Sequence, residues 1–204
     1  MYTEEFFKKV ACHELSEADA CEITDMRQGY VERFRNALID LYEQTSPTII
    51  NSGIAGDTIV GMKNRLFRDV ISHQPDLILI NGSLNWPPAC GSTEEYERVL
   101  REMIILLQEE TRADIILMTP NMALPSPIPE LNNPASDLAE RVNVIRTAAQ
   151  DCKISLADTY LVWEEYEKRG YPVEALLANK LNHPSVTGHE MYKEVLMQFF
   201  RSIR

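Results

Sequence analysis

The sequence predicts an α/β protein of three layers, α/β/α, in which a single parallel sheet of about five strands carries helices on both faces. Three observations lead there. Short apolar runs alternate with longer stretches of helical periodicity along the whole chain, in the order βαβαβαβαβα. The runs DLILING and ADIILMTP are apolar at consecutive positions, the pattern of strands buried on both faces. The segments between runs are long enough for the crossover helices that parallel neighbours require. No repeat and no second compositional regime interrupts the 204 residues, which read as one domain, 1–204.

The elements follow in order. FFKKVAC reads as the first strand, and MRQGYVERFRNALIDLYEQ places Tyr30, Val31, Phe34, Leu38 and Leu41 at helical spacing. PTIINSG is a short β-branched run ending in glycine, and TIVGMKNRLFRDVISHQ is the next helix. After the strand DLILING, STEEYERVLREMIILLQEE opens with Ser92 or Thr93 as N-cap and acids in its first turn, a strong helix start. ADIILMTP is a strand, ASDLAERVNVIRTAAQDC a helix, ISLADTY a strand and VTGHEMYKEVLMQFFRSI the closing helix. The one long irregular stretch, residues 119–136, carries five prolines, and loops of that length border functional sites or act as lids.

Composition removes several classes of function. A net charge of −11 argues against nucleic acid and anionic membrane as partners, which call for clustered Lys and Arg. No apolar run approaches the roughly 20 residues that span a bilayer. The start MYTEEFFKKV has acids where a signal peptide has a basic and then an apolar stretch, which points to the cytoplasm. Cys12, Cys21, Cys90 and Cys152 lie far apart, read as reduced thiols, and lack the spacing of a zinc site, so neither metal nor cofactor is expected. His73 and His189 read as helix-end and packing residues, and Glu164, Glu165 and Glu167 as a solvated face. Met62 and Met118 read as core.

In a doubly wound sheet, ligands sit at the carboxyl ends of the strands. The segments that reach those ends are CHELSEADA, NSGIAGDT, NGSLNW, TPNM and the stretch NKLNHPSVTGHEMY before the last helix. Gly56 brings a backbone N–H to a helix entrance, a geometry suited to an oxyanion or phosphate. Asn85, just past a buried strand, offers an amide to the same charge. Taken singly, the glycine and asparagine are equally readable as turn formers, and His183 as a structural histidine.

Together these segments resemble the SGNH (GDSL-like) hydrolases, a family of esterases and acylhydrolases with a flavodoxin-like sheet, over nearly the whole chain. NSGIAGDT is similar to the family's glycine block, which makes Gly56 an oxyanion-hole donor. PDLILINGSLNW is similar to the block that ends Gly-x-Asn-Asp, which makes Asn85 the oxyanion amide. HPSVTGHEMY is similar to the His-Pro-x-x-x-Gly block, which makes His183 the catalytic base. The resemblance implies a serine-type mechanism on a small ester or acylated sugar. It leaves the oligomeric state open.

The chain departs from the family at two positions that matter for that mechanism. The family's Gly-Asp-Ser-x-Thr nucleophile block corresponds to ACHELSEAD. One register puts Cys12, His13 and Glu14 where Gly, Asp and Ser belong, so that Glu14 takes the nucleophile position. A second register makes Ser16 the nucleophile at the cost of one inserted residue. The family's aspartate three residues before the histidine is Lys180 here, with Asn179 one residue earlier as a neutral acceptor. Ser83 and Trp86 replace a glycine and an aspartate of the third block. The two charge changes predict that Glu14 pairs with His183 or Lys180. Two readings stand: an esterase using Ser16, His183, Gly56 and Asn85, or a catalytically impaired member that binds a ligand in the old pocket.

Overall fold

The computed structural model describes residues 3–11, 25–43, 45–126, 135 and 137–201. Among these it contains a three-stranded parallel sheet in the order β1 (Leu77–Ile80), β2 (Asp114–Met118), β3 (Ser155–Ala157). Leu77 pairs with Asp114 and Ile80 with Leu117, and Ile116 pairs with Ser155 and Met118 with Ala157. Of β2, Ile115, Ile116, Leu117 and Met118 are all buried, so the central strand is covered on both faces, as its unbroken apolar run requires.

The contacts divide the chain into two compact units. One comprises Ser52–Pro120 and Pro125–Asp158, the other Met1–Asn51, Asn121–Leu124 and Thr159–Arg204. The first of these units holds the sheet. Its strands succeed one another in a single direction, so two right-handed crossovers put both connecting helices on the same face. Those helices pack against each other: α5 (Thr93–Glu110) and α6 (Leu138–Asp151). Ser92 is the N-cap of α5, its hydroxyl accepting from Glu95 N at 3.4 Å, and Glu94 and Glu95 complement the dipole. Tyr96, Val99, Leu100, Met103, Ile104 and Leu107 of α5 line one stripe and close over Ile78, Ile80, Ile115 and Leu117. Each such aliphatic side chain contributes about 1.5–3 kcal/mol on burial.

The expected helix over TIVGMKNRLFRDVISHQ is interrupted. It runs as α3 (Ile59–Asn64) and α4 (Leu66–Asp69), followed by a 3-10 turn over Ile71–His73. The break falls at Arg65, whose guanidinium turns back to Asp57 at 2.9 Å, to the Ser52 carbonyl at 2.6 Å and to Asp69 at 2.8 Å.

The other unit pairs α2 (Tyr30–Leu41) with the closing helix α8 (Val186–Arg201). Phe34 and Leu38 of α2 and Met191, Val195 and Leu196 of α8 are buried, Tyr30 stacks on Tyr192 at 4.9 Å, and Arg33 pairs with Glu190 at 2.9 Å. Among the described residues no helix is long and apolar enough to cross a membrane.

Two of the five segments expected as strands are not strands. FFKKVAC falls largely in α1 (Glu4–Ala11), whose start is written in the sequence: Thr3 Oγ1 accepts from Phe6 N at 3.2 Å, and Glu4 and Glu5 fill the first turn. Packing then decides for the helix. Phe7 is buried, with the Arg169 guanidinium 4.3 Å above its ring and Glu4 paired to the same arginine. PTIINSG carries no ladder bond among the described residues. A further helix, α7 (Thr159–Lys168), runs through the stretch read as a solvated acidic face. It buries Thr159, Val162, Trp163 and Tyr166 at i, i+3, i+4 and i+7, a helical stripe that was present in the sequence.

Candidate active site

The glycine block forms a turn that only glycine adopts comfortably. Gly56 has φ of 73°, in the left-handed region, and the space where its Cβ would stand is open. Asp57 N donates to Ile54 O at 3.2 Å, closing the turn, and Thr58 then caps α3 by accepting from Gly61 N at 3.3 Å. Asp57 is held from the other side by Arg65, a pair in which both side chains are largely buried. A turn braced this way presents an exposed Gly56 next to a helix entrance.

Asn85 lies in the loop that leaves the carboxyl end of β1, and it is exposed. Its neighbours fix the loop from below. Trp86 is buried, donates its indole N–H to Gly91 O at 3.0 Å and packs edge-on against Tyr96 at 5.3 Å. Tyr96 donates its hydroxyl to Gly82 O at 3.3 Å, and the buried Arg141 donates Nε to Ser83 O at 3.2 Å. The methionine at 62 crowds Gly82, whose added Cβ would come within 2.6 Å of its sulfur.

His183 stands on a small hairpin rather than a plain loop. Leu177 and Pro184 form an antiparallel bridge, and Ala178 N donates to His183 O at 2.8 Å. Asn179 Oδ1 accepts from the backbone N–H of Leu181, Asn182 and His183 at 3.0, 2.9 and 3.0 Å. Its side chain therefore shapes the hairpin. Lys180 is exposed and has φ of 54°. Ser185 then caps α8, accepting from Gly188 N at 3.3 Å. Gly188, the glycine of the His-Pro-x-x-x-Gly block, has a steric reason: a Cβ there would meet Leu176 O at 2.7 Å and Pro184 Cβ at 2.9 Å.

Gly56 and Asn85 thus belong to one compact unit, and His183 and Asn179 to the other. Glu14, Ser16 and Cys12 lie outside the described residues, as does the middle of the proline-rich stretch, residues 127–134. His189, read as a packing residue, is half-buried in α8 and accepts from Tyr30 N at Nδ1, 3.3 Å away. Burial, and after it the charges of Arg33 and His183, push its pKa down to about 4. Among the described residues no group of three or more His, Cys, Asp or Glu could hold a metal ion.

Three supporting residues carried no local signal in the sequence. Arg141 is a charged residue within α6, and only 2% of it is exposed. Asn121 and Tyr192 are also buried and bond to each other across 71 positions of chain.

A parallel sheet with crossover helices packed on it, and polar loops leaving its carboxyl edge, defines the class as an α/β hydrolase-like fold. An alpha/beta hydrolase enzyme from the metagenome of Lake Arreo, Spain, superimposes with a TM-score of 0.73 over 96% of this chain and 93% of its own; at 19% identity the likeness is one of fold. The chain belongs to the GDSL-like lipase/acylhydrolase family, whose model matches residues 19–191. That match begins beyond both Glu14 and Ser16. An acetylxylan esterase of Geobacillus stearothermophilus is 29% identical over 171 residues, which is 79% of this chain and 75% of the esterase. The crystal structure of an acetylxylan esterase from that organism has a TM-score of 0.70 at 26% identity, covering 83% of this chain and 80% of its own. Structures of catalytic mutants of the same esterase replace a serine, a histidine, and an aspartate three positions ahead of that histidine.

Proposed function

We propose that the protein is an esterase that removes acetyl groups from small esters or acetylated sugars by a serine-type mechanism. In this reading residues 1–204 work as a single functional domain, with His183 as the general base and Gly56 and Asn85 as the oxyanion donors. Ser16 Oγ attacks the acyl carbonyl while His183 takes its proton. Gly56 N–H and the Asn85 amide hold the oxyanion that develops, and His183 returns the proton to the departing sugar hydroxyl. Water then cleaves the acyl-enzyme by the same route, releasing acetate. The observation that carries this reading is the Gly56 turn: left-handed, open above its Cα and braced by the Arg65–Asp57 pair. The acetyl ester as substrate is taken from the acetylxylan esterase relative.

The alternative is a member that keeps the pocket to bind a ligand, with Glu14 at the nucleophile position. Lys180 favours it, because the relative's catalytic aspartate stands three positions ahead of its histidine and this chain has a cation there. Asn179 does not replace that charge, since its Oδ1 is occupied by three backbone donors. A carboxylate at position 14 would also repel an oxyanion beside it. The two readings separate on p-nitrophenyl acetate and acetylated xylo-oligosaccharide with wild type, Ser16→Ala and His183→Ala. Turnover that disappears in both variants establishes the esterase; turnover absent from wild type, or indifferent to both changes, establishes the binding protein.

A further inference from the structure

We propose that Asn121, acting with Tyr192, is the positioning residue for His183; the proposal rests on the reading of His183 as general base. Asn121 follows β2 by three residues, and it is 1% exposed, with Tyr192 at 2%. Its amide nitrogen donates to Asn182 O at 2.9 Å and to Met122 O at 2.8 Å. Its amide oxygen accepts from the Tyr192 hydroxyl at 2.9 Å, and that hydroxyl accepts from Asn121 N at 2.6 Å. Three residues on, Leu124 N donates to Leu181 O at 2.7 Å. The segment 121–124 is therefore laced to residues 181 and 182, immediately before the histidine.

The residue type fits this task. An asparagine amide donates on one side and accepts on the other, so one buried side chain joins two carbonyls and a phenol. The bonds that Ala178 N and Asn179 Oδ1 make are local and shape the hairpin, whereas those of Asn121 and Leu124 tie it to the segment after β2. Tyr192 is itself seated by its stack with Tyr30 at 4.9 Å, so the clamp is referred to the α2–α8 pair. A general base works within a hydrogen-bond length of its proton, about 2.6–3.2 Å, so small displacements of this hairpin matter. A misplacement of about 1 Å costs on the order of 100-fold in rate.

The test uses two neutral variants that keep volume while deleting the bonds, Asn121→Leu and Tyr192→Phe. The four histidines of the chain give few imidazole signals, and His183→Gln assigns the one that matters. Both variants are expected to change the NMR titration curve of His183 while the His73 curve stays in place. They are also expected to lower kcat on p-nitrophenyl acetate by about 10- to 100-fold with KM within about threefold. A His183 curve that coincides with wild type in both variants overturns the proposal, whatever the thermal midpoint does. Wild-type protein without turnover would remove the esterase reading alone, since the titration arm still decides whether Asn121 sets His183. Should Asn121→Leu not fold, Tyr192→Phe keeps the aromatic stack and carries the test by itself.

Discussion

The guanidinium of Arg141 donates to the carbonyl of Ser83 across 3.2 Å inside the protein, two residues from the exposed Asn85. No carboxylate lies within ion-pair distance of that arginine among the described residues, and burial holds its pKa below the usual value. A buried cation bonded to a loop carbonyl polarises the peptide it touches and fixes the loop. Arg141→Ala removes the packed stem and leaves the Ser83 carbonyl without its donor, so it should destabilise the protein by about 2–4 kcal/mol. Arg141→Met also removes the donor to Ser83 but keeps most of the stem and relieves the buried charge, so its cost should be smaller, about 1–2 kcal/mol. Urea unfolding of the pair measures the difference; equal losses would mean that the charge, not the stem, holds this region.

Asn85 is exposed, so its loss should cost little stability. Asn85→Ala should leave the unfolding midpoint within about 0.5 kcal/mol of wild type. If its amide holds the oxyanion, kcat should fall by about 100- to 1,000-fold. Steady-state kinetics on p-nitrophenyl acetate decides, and an unchanged kcat would take Asn85 out of the mechanism.

Gly56→Ala meets no steric obstacle but must place a side chain at φ of 73°. The conformation costs roughly 1–2 kcal/mol for a residue with a Cβ. Relaxation of the turn would redirect the N–H, so activity should drop further than stability does. Comparing the thermal midpoint with kcat on the same preparation separates the two effects.

Lys180→Asp places a carboxylate three residues before His183 and suits the backbone, because Asp tolerates the left-handed conformation that lysine holds at φ of 54°. Loss of such an aspartate costs about 10⁴-fold in serine proteases, so its restoration should raise kcat at least about tenfold if Ser16 is the nucleophile. With Glu14 in that position no gain is expected. The substitution thus separates the two registers of the nucleophile block by kinetics alone.

Stability should depend on acid through two groups. His189 is held near a pKa of about 4, below its value of about 6.5 in an unfolded chain. The unfolded state therefore takes up the proton first, and stability that is complete above pH 6.5 is lost as pH falls through 4. Partial exposure limits the effect to on the order of 2 kcal/mol. Asp69, held well below the usual carboxylate range by Arg68 and then Arg65, adds a loss at lower pH still. Urea midpoints between pH 7 and 4 should fall for wild type and flatten for His189→Gln.

How much of this could be read from the chain depends on whether the signal is local. The strands at 77–80 and 114–118, the Ser92 cap and the stripe of α5 were legible because each lies within one turn or one ladder length. The family was legible through the order of the glycine, asparagine and histidine segments. The N-terminal helix was misread although Thr3, Glu4 and Glu5 mark its start, since a short apolar run fits either period. α7 was passed over although Val162, Trp163 and Tyr166 mark its buried side, since the acids between them drew the reading.

By itself the sequence determined the parallel α/β class and membership of the GDSL-like lipase/acylhydrolase family. These are properties of residue type and spacing along the chain. Tertiary structure alone decided that Asn179 Oδ1 takes up three backbone N–H groups of a hairpin, that Arg141 is buried under the Asn85 loop, and that Asn121 meets Tyr192. Such bonds join residues far apart in sequence, where burial makes every polar partner matter and no periodicity announces it.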